Sequence, residues 1–221
     1  MEPSPTTHPD PGDPAAPALD LAGRPRPLLS RRTESELGPR HRQVLEQLEV
    51  LMVTEDLATV TVGHLAAVVG CSRRTLYELA PSKNELVLVV LDRLLHRMGR
   101  AGLEAVAGAR DWSGRIRAYF GAGLELQRRT ATFAEKLADD PAARRLLDRH
   151  FQFALSVVEQ LVAGGVADGE FRPVSPPLVA GVLLGGGLYV SQPHIRARTG
   201  LDQAQAADRV VDLILVSLAA G

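Results

Sequence analysis

The sequence predicts an all-α fold in two parts, a small three-helix unit followed by a larger helical one. Three observations carry that expectation. The chain is 45% apolar but only 4% aromatic, and leucine, alanine and valine dominate, which suits helix packing better than sheets. Apolar residues recur at three- and four-residue spacing in successive segments, as one buried helix face requires. Helix-start signals punctuate those segments at Thr61, Ser72, Ser82, Asp140-Pro141 and Asp202.

Composition also sets bounds. The chain's 221 residues suffice for one large domain or two small ones. The formal net charge is −1, so any nucleic-acid surface must be a local basic patch. One cysteine, Cys71, leaves no intramolecular disulfide and no cysteine-rich metal site. The N-terminus lacks the apolar core of a signal peptide. Residues 178–190 are apolar but too short to span a bilayer, and they contain Gly185-Gly186-Gly187. A soluble, cytoplasmic protein without a membrane partner is the expectation.

Residues 1–36 read as a disordered tail, because residues 1–27 hold eight of the fifteen prolines and almost no apolar pattern. Arg24, Arg26, Arg31, Arg32, Arg40 and Arg42 then stand against Glu34 and Glu36. They suit either an arm that follows a nucleic-acid backbone or an ordinary solvated segment. The first helix is predicted from Pro39 to Thr54, with Val44, Leu45, Leu48, Leu51 and Met52 on its buried face.

Residues 61–84 follow. Thr61 can cap a short helix whose apolar face is Leu65, Ala66, Val68 and Val69. Gly70 suits the left-handed turn at its end. Ser72 can cap a second helix, residues 73–79. Two short helices over a glycine-containing turn form the helix-turn-helix pattern. In that pattern the second helix enters the DNA major groove with its N-terminal residues toward the bases; here they are Arg73, Arg74 and Thr75. Ser82 and Glu85 have capping-box spacing and open a long helix that is expected to fray or bend near Gly99 or Gly102. The predicted domains are thus residues 37–84 for DNA binding and 85–221 for regulation and dimerisation.

In the second part, Ser113 can cap a helix carrying Ile116, Tyr119, Phe120 and Leu124. A short helix is expected near 131–138. Asp140-Pro141 starts a helix that should end at Gly164-Gly165. Ser175-Pro176-Pro177 opens another, reaching about Ser191. His194, Arg196 and Arg198 are assigned to a loop with a solvated patch. Asp202 and Gln205 cap the last helix.

Residues 61–86 resemble the TetR family of transcriptional regulators. The matching positions are Thr61, Leu65-Ala66, Gly70, Ser72, Thr75-Leu76-Tyr77 and Ser82-Lys83-Asn84-Glu85-Leu86. The likeness covers about fifty residues when the first helix is counted. It implies a homodimer with an N-terminal DNA-binding domain and a helical C-terminal domain, usually a repressor released from DNA by a small molecule. It also implies that Tyr77 and Lys83 contact phosphate. The chain departs from the pattern in three places. Leu79-Ala80 stands where an aromatic pair is usual, Arg73-Arg74 replaces a single basic or small pair, and His64 replaces a commoner acidic or polar residue.

The DNA-binding candidates are therefore Thr61, Ser72, Arg73, Arg74, Thr75, Tyr77 and Lys83. An arginine fork matches the two acceptors on guanine, whereas phosphate contacts position without specifying. Trp112, Tyr119, Phe120, Phe133, His150, Phe151, Phe153 and Tyr189 suit either a ligand cavity between helices or plain core packing. Leu183, Leu184, Val210, Ile214 and Leu218 on the last two long helices are the candidate dimer interface. No catalytic motif or paired Cys/His ligand set is present, so neither an enzyme nor a cofactor is expected. The expected function is a ligand-released repressor that binds a palindromic operator as a homodimer. The alternatives are an activator or ligand-independent regulator of the same fold, and a helical ligand-binding or interaction module without DNA binding.

Overall fold

The computed structural model describes residues 18–54, 59–122 and 140–220. Its helices are α1 (Arg31–Glu36), α2 (Pro39–Thr54), α3 (Val62–Val68), α4 (Arg73–Leu79) and α5 (Lys83–Ala107). They continue with α6 (residues 112–122), α7 (Pro141–Ala167), α8 (Pro176–Val190), α9 (Pro193–Thr199) and α10 (Gln203–Leu218). The helix expected near 131–138, with Phe133, lies outside the described residues.

Among the described residues, two apolar cores organise the fold. The first gathers Val44, Leu45 and Leu48 of α2, Leu65 of α3, Leu76 of α4, and Leu86 through Leu94 of α5. Ala143 and Leu146 of α7 close it from the other side. The second joins Val106 of α5, Ile116 of α6, Val157 to Val162 of α7, Leu183 of α8 and Val211, Leu215 and Leu218 of α10. Each such fully buried side chain contributes roughly 1.5–3 kcal/mol relative to exposure. The α5 helix thus belongs to both cores, and a boundary at residue 84/85 cuts through the first of them.

Several expectations are corrected. Residues 18–36, expected to belong to a disordered tail, are packed on the fold. Leu19 and Leu29 pack on the second and first cores, and α1 is capped by Ser30, whose hydroxyl accepts the Thr33 N–H. The Asp20 N–H donates to Gln160, and the Leu28 N–H donates to Asp92 at 2.8 Å. A few apolar anchors, the buried Asp92 carboxylate and exposed hydrogen bonds order this segment, and its proline content does not oppose an extended path. The α5 helix runs unbroken through Gly99 and Gly102. A Cβ at Gly102 would lie 2.9 Å from the Tyr119 ring, so that glycine makes room for a neighbour.

The same physics corrects the end of α7. The helix continues through Gly164 and Gly165 to Ala167. Trp112 presses on Gly164 and Phe171 on Gly165, each closer than any Cβ could tolerate. The cap of α6 is also displaced from the prediction. Asp111 accepts the Gly114 N–H, while the Ser113 hydroxyl and the Trp112 and Ser113 N–H groups donate to Glu170. A carboxylate there satisfies orphan donors and complements the positive end of the helix. Finally, 193–199 is helix rather than loop: Pro193 sits in its first turn, and Gly200, at φ 68°, ends it.

Candidate DNA-binding surface

Local capping builds the surface. The Thr61 hydroxyl accepts the His64 N–H at 3.1 Å and starts α3. Gly70 turns the chain at φ 62°, a conformation that only glycine adopts without cost. Arg40, reaching from α2, donates its guanidinium to the Val69 and Gly70 carbonyls. That cation satisfies orphan acceptors at the end of α3 and fixes the turn against α2. The Ser72 hydroxyl then accepts the Thr75 N–H at 3.1 Å and shares a 2.9 Å hydrogen bond with the Thr75 hydroxyl.

The periodicity of α4 sorts its faces. Leu76 and Leu79 are buried with Ala80, so the space that an aromatic pair would fill is occupied by smaller groups. Arg73, Arg74 and Tyr77 are exposed on the other side. The Arg74 side chain is 89% exposed, and its Nε donates to Glu78 at 3.1 Å. His41 meets the same carboxylate at 3.0 Å. The hydrogen bond from Arg74, and then that from His41, holds the Glu78 carboxyl below the usual carboxylate range. The Arg73 guanidinium lies over Gly63, where a Cβ would come within 2.7 Å of Nη2. Lys83 begins α5, directly after the cap at Ser82, whose hydroxyl accepts the Glu85 N–H at 3.2 Å.

The seven predicted DNA-facing residues therefore form one contiguous stretch with a division of labour. Thr61 and Ser72 hold helix starts, and the Thr75 hydroxyl is engaged with Ser72. Arg73, Arg74 and Tyr77 are exposed, with Arg74 paired to Glu78. The sequence reading missed Arg40 as the clamp on the turn and Glu78 as the partner of Arg74; the i, i+4 spacing of Arg74 and Glu78 was the available signal for the latter. It also missed Glu49, buried in α2 and bridged by Arg93 and Arg97. Arg93 also reaches Glu34 and so ties α1 to the first core. Cys71 is half-buried, and desolvation pushes its thiol above the ordinary range, the opposite of a reactive thiolate.

Among the described residues, the predicted ligand-pocket side chains lie in several different environments. The Trp112 ring lies on Gly164, with Nε1–H donating to Asp168 at 2.8 Å and Arg115 stacked at 4.5 Å. Tyr119 and Phe153 are core, and burial pushes the Tyr119 hydroxyl up to about 12. Phe120 and Phe151 are half-buried, while Tyr189 is 55% exposed. His150 faces Asp92, and Phe133 lies outside the described residues. A surface hollow of about 520 Å³ lies elsewhere, lined by Leu28, Leu88, Leu146 and Arg145 among others.

The predicted dimer residues divide as well. Leu183 and Leu218 are buried within the chain's own core, and Leu184, Val210 and Ile214 are half-buried. The exposed apolar side chains of these helices are Leu178, Val182, Leu188 and Tyr189 on α8, and Leu213 and Val216 on α10. The helical period explains the division: Leu183 and Leu218 point into the chain's own core, whereas Leu184, Val210 and Ile214 lie at its edge, between the buried and the exposed stripe.

Neither a protein-family profile nor a curated protein matches the chain. Solved structures do. A transcriptional regulator from Saccharomonospora viridis, solved in complex with choline, superposes with a TM-score of 0.69 at 16% identity, over 82% of this chain and 98% of that one. A TetR-family regulator from Agrobacterium tumefaciens gives 0.65 at 16% identity, over 82% and 98%. The chain has the TetR fold. A third structure with this architecture, AibR in complex with isovaleryl coenzyme A and operator DNA, gives 0.57 at 20% identity, over 79% and 97%. Within the TetR fold, α3 and α4 form the helix-turn-helix unit and α5 links it to the larger helical part. Among the described residues, no single helix is long and apolar enough to cross a membrane.

Proposed function

We propose that this chain is a homodimeric, DNA-binding transcriptional regulator, acting as a repressor released by a small molecule. The observation that carries the reading is the sorting of α4, with Leu76 and Leu79 inside and Arg73, Arg74 and Tyr77 outside at the end that faces DNA in a helix-turn-helix. Each subunit would set α4 in a major groove, and a two-fold dimer would read half-sites about 34–36 Å apart or a multiple of that. Lys83 and Tyr77 would hold phosphates, and Arg74 would leave Glu78 to reach a base edge.

The dimer would form on the exposed apolar stripes of α8 and α10. Gly181 and Gly185 support that choice, because a Cβ on either would meet nothing within 4 Å and both are exposed, leaving a smooth face for a second backbone. An effector bound among the C-terminal helices would shift α5, which shares both cores, and so change the spacing of the two α4 helices. It does so only if it binds one spacing better than the other. Fluorescence anisotropy on selected DNA at fixed salt tests the site. Arg74→Ala should weaken specific binding by about 1–3 kcal/mol if Arg74 reads a base. An unchanged isotherm removes Arg74 from the interface.

A further inference from the structure

We propose that Asp92, His96 and His150 form a binding site for a divalent transition metal of the zinc class. Asp92 and His96 are one turn apart on α5 and so share a face; His150 approaches from α7. The ligand atoms of all three lie within 4.8 Å of one another. Asp92 Oδ1 is 3.3 Å from His150 Nε2 and 3.6 Å from His96 Nε2. Around a tetrahedral zinc, with bonds near 2.0–2.2 Å, neighbouring ligand atoms sit roughly 3.4 Å apart. Side-chain adjustments of under about an ångström would close the set.

Burial strengthens the case. The Asp92 side chain is 1% exposed, and each histidine side chain is 10% exposed. His96 Nε2 is buried and makes no hydrogen bond. Leaving a buried polar group unmet is unfavourable, and a metal would use its lone pair. The second oxygen of Asp92 is held by the Leu28 N–H, which orients Oδ1 toward the histidines as an outer-shell partner would. The two rings pack edge to face, 4.8 Å between centroids, which fixes their relative attitude.

Two imidazoles and one carboxylate suit zinc, cobalt or nickel rather than calcium or magnesium, which prefer oxygen. Three protein ligands leave a fourth position for water or a small donor. Arg24 and Arg100 place positive charge near His96 and lower the site's affinity for a cation. The ion would clamp α5 to α7 where the first core gives way to the second. The linear sequence hides this set because His150 stands 58 residues from Asp92.

The test uses the full chain stripped with a chelator and titrated with Co²⁺ and Zn²⁺. One ion per chain is expected, with visible d–d absorption from cobalt. His96→Asn and His150→Gln, each checked for folding by circular dichroism, should each lower affinity at least about 100-fold, more than the loss of an outer-shell partner. Absence of stoichiometric binding by the unsubstituted chain would overturn the proposal and leave a hydrogen-bonded ion cluster. Binding that survives in both variants would place the ion on other histidines and overturn it equally.

Discussion

Gly164→Ala is a sharp test of the packing described above. In an ordinary helix interior, glycine to alanine stabilises by about 0.5–1 kcal/mol. At Gly164 the new methyl would be driven into the six-membered ring of Trp112. That ring cannot retreat freely. Its Nε1–H is bonded to Asp168, Arg115 lies on its face, and its backbone N–H is held by Glu170. Overpacking of this kind costs about 1–3 kcal/mol, and loss of the indole hydrogen bond adds about 0.5–1.5. Set against the helix gain, the net is a loss of about 0.5–4 kcal/mol. Gly99→Ala is the matched control. Gly99 lies inside α5, and a Cβ there would meet nothing within 4 Å. It should gain up to about 1 kcal/mol. Urea unfolding at one fixed protein concentration reads both, since association contributes to stability. If Gly164→Ala proved as stable as Gly99→Ala, Trp112 would not rest on that glycine and the account of α7 would be wrong.

Two further perturbations probe other elements. Val216→Asp changes a side chain that is 77% exposed, so the protomer's fold should survive while the dimer proposed on α8 and α10 dissociates; light scattering that still reports a dimer would place the interface elsewhere. Glu170→Ala removes the carboxylate that accepts two N–H groups and one hydroxyl at the start of α6. A loss of about 1.5–3 kcal/mol is expected from charged hydrogen bonds, and an unchanged urea midpoint would contradict that role.

What the sequence disclosed and what it hid divide along the range of the interactions. Caps act within three or four residues, so Thr61, Ser72, Asp140 and Asp202 were legible, and Asp202 closes a full capping box with Gln205. The α2 helix begins at Pro39 and ends at Thr54 as its periodicity predicts. Glycine was misread because its two uses look alike in a linear chain. Gly70 turns the backbone, whereas Gly164 and Gly165 admit the rings of Trp112, from α6, and of Phe171, which folds back just beyond the end of α7. Long-range charge was hidden for the same reason: Glu49 finds Arg93 and Arg97 more than forty residues away. The two short helices and the turn of residues 61–79 were readable because a helix-turn-helix is local. The surroundings of the aromatic residues were not, since composition alone does not say which neighbours each ring meets.

The most direct test of the central claim is selection from random double-stranded DNA by the purified chain, followed by footprinting of the enriched sequences. The account predicts an inverted repeat whose half-site centres lie about 10–10.5 base pairs apart or a multiple of that, with protection lost in Arg74→Ala. Failure to enrich any sequence, or an enriched site without two-fold symmetry, would contradict it.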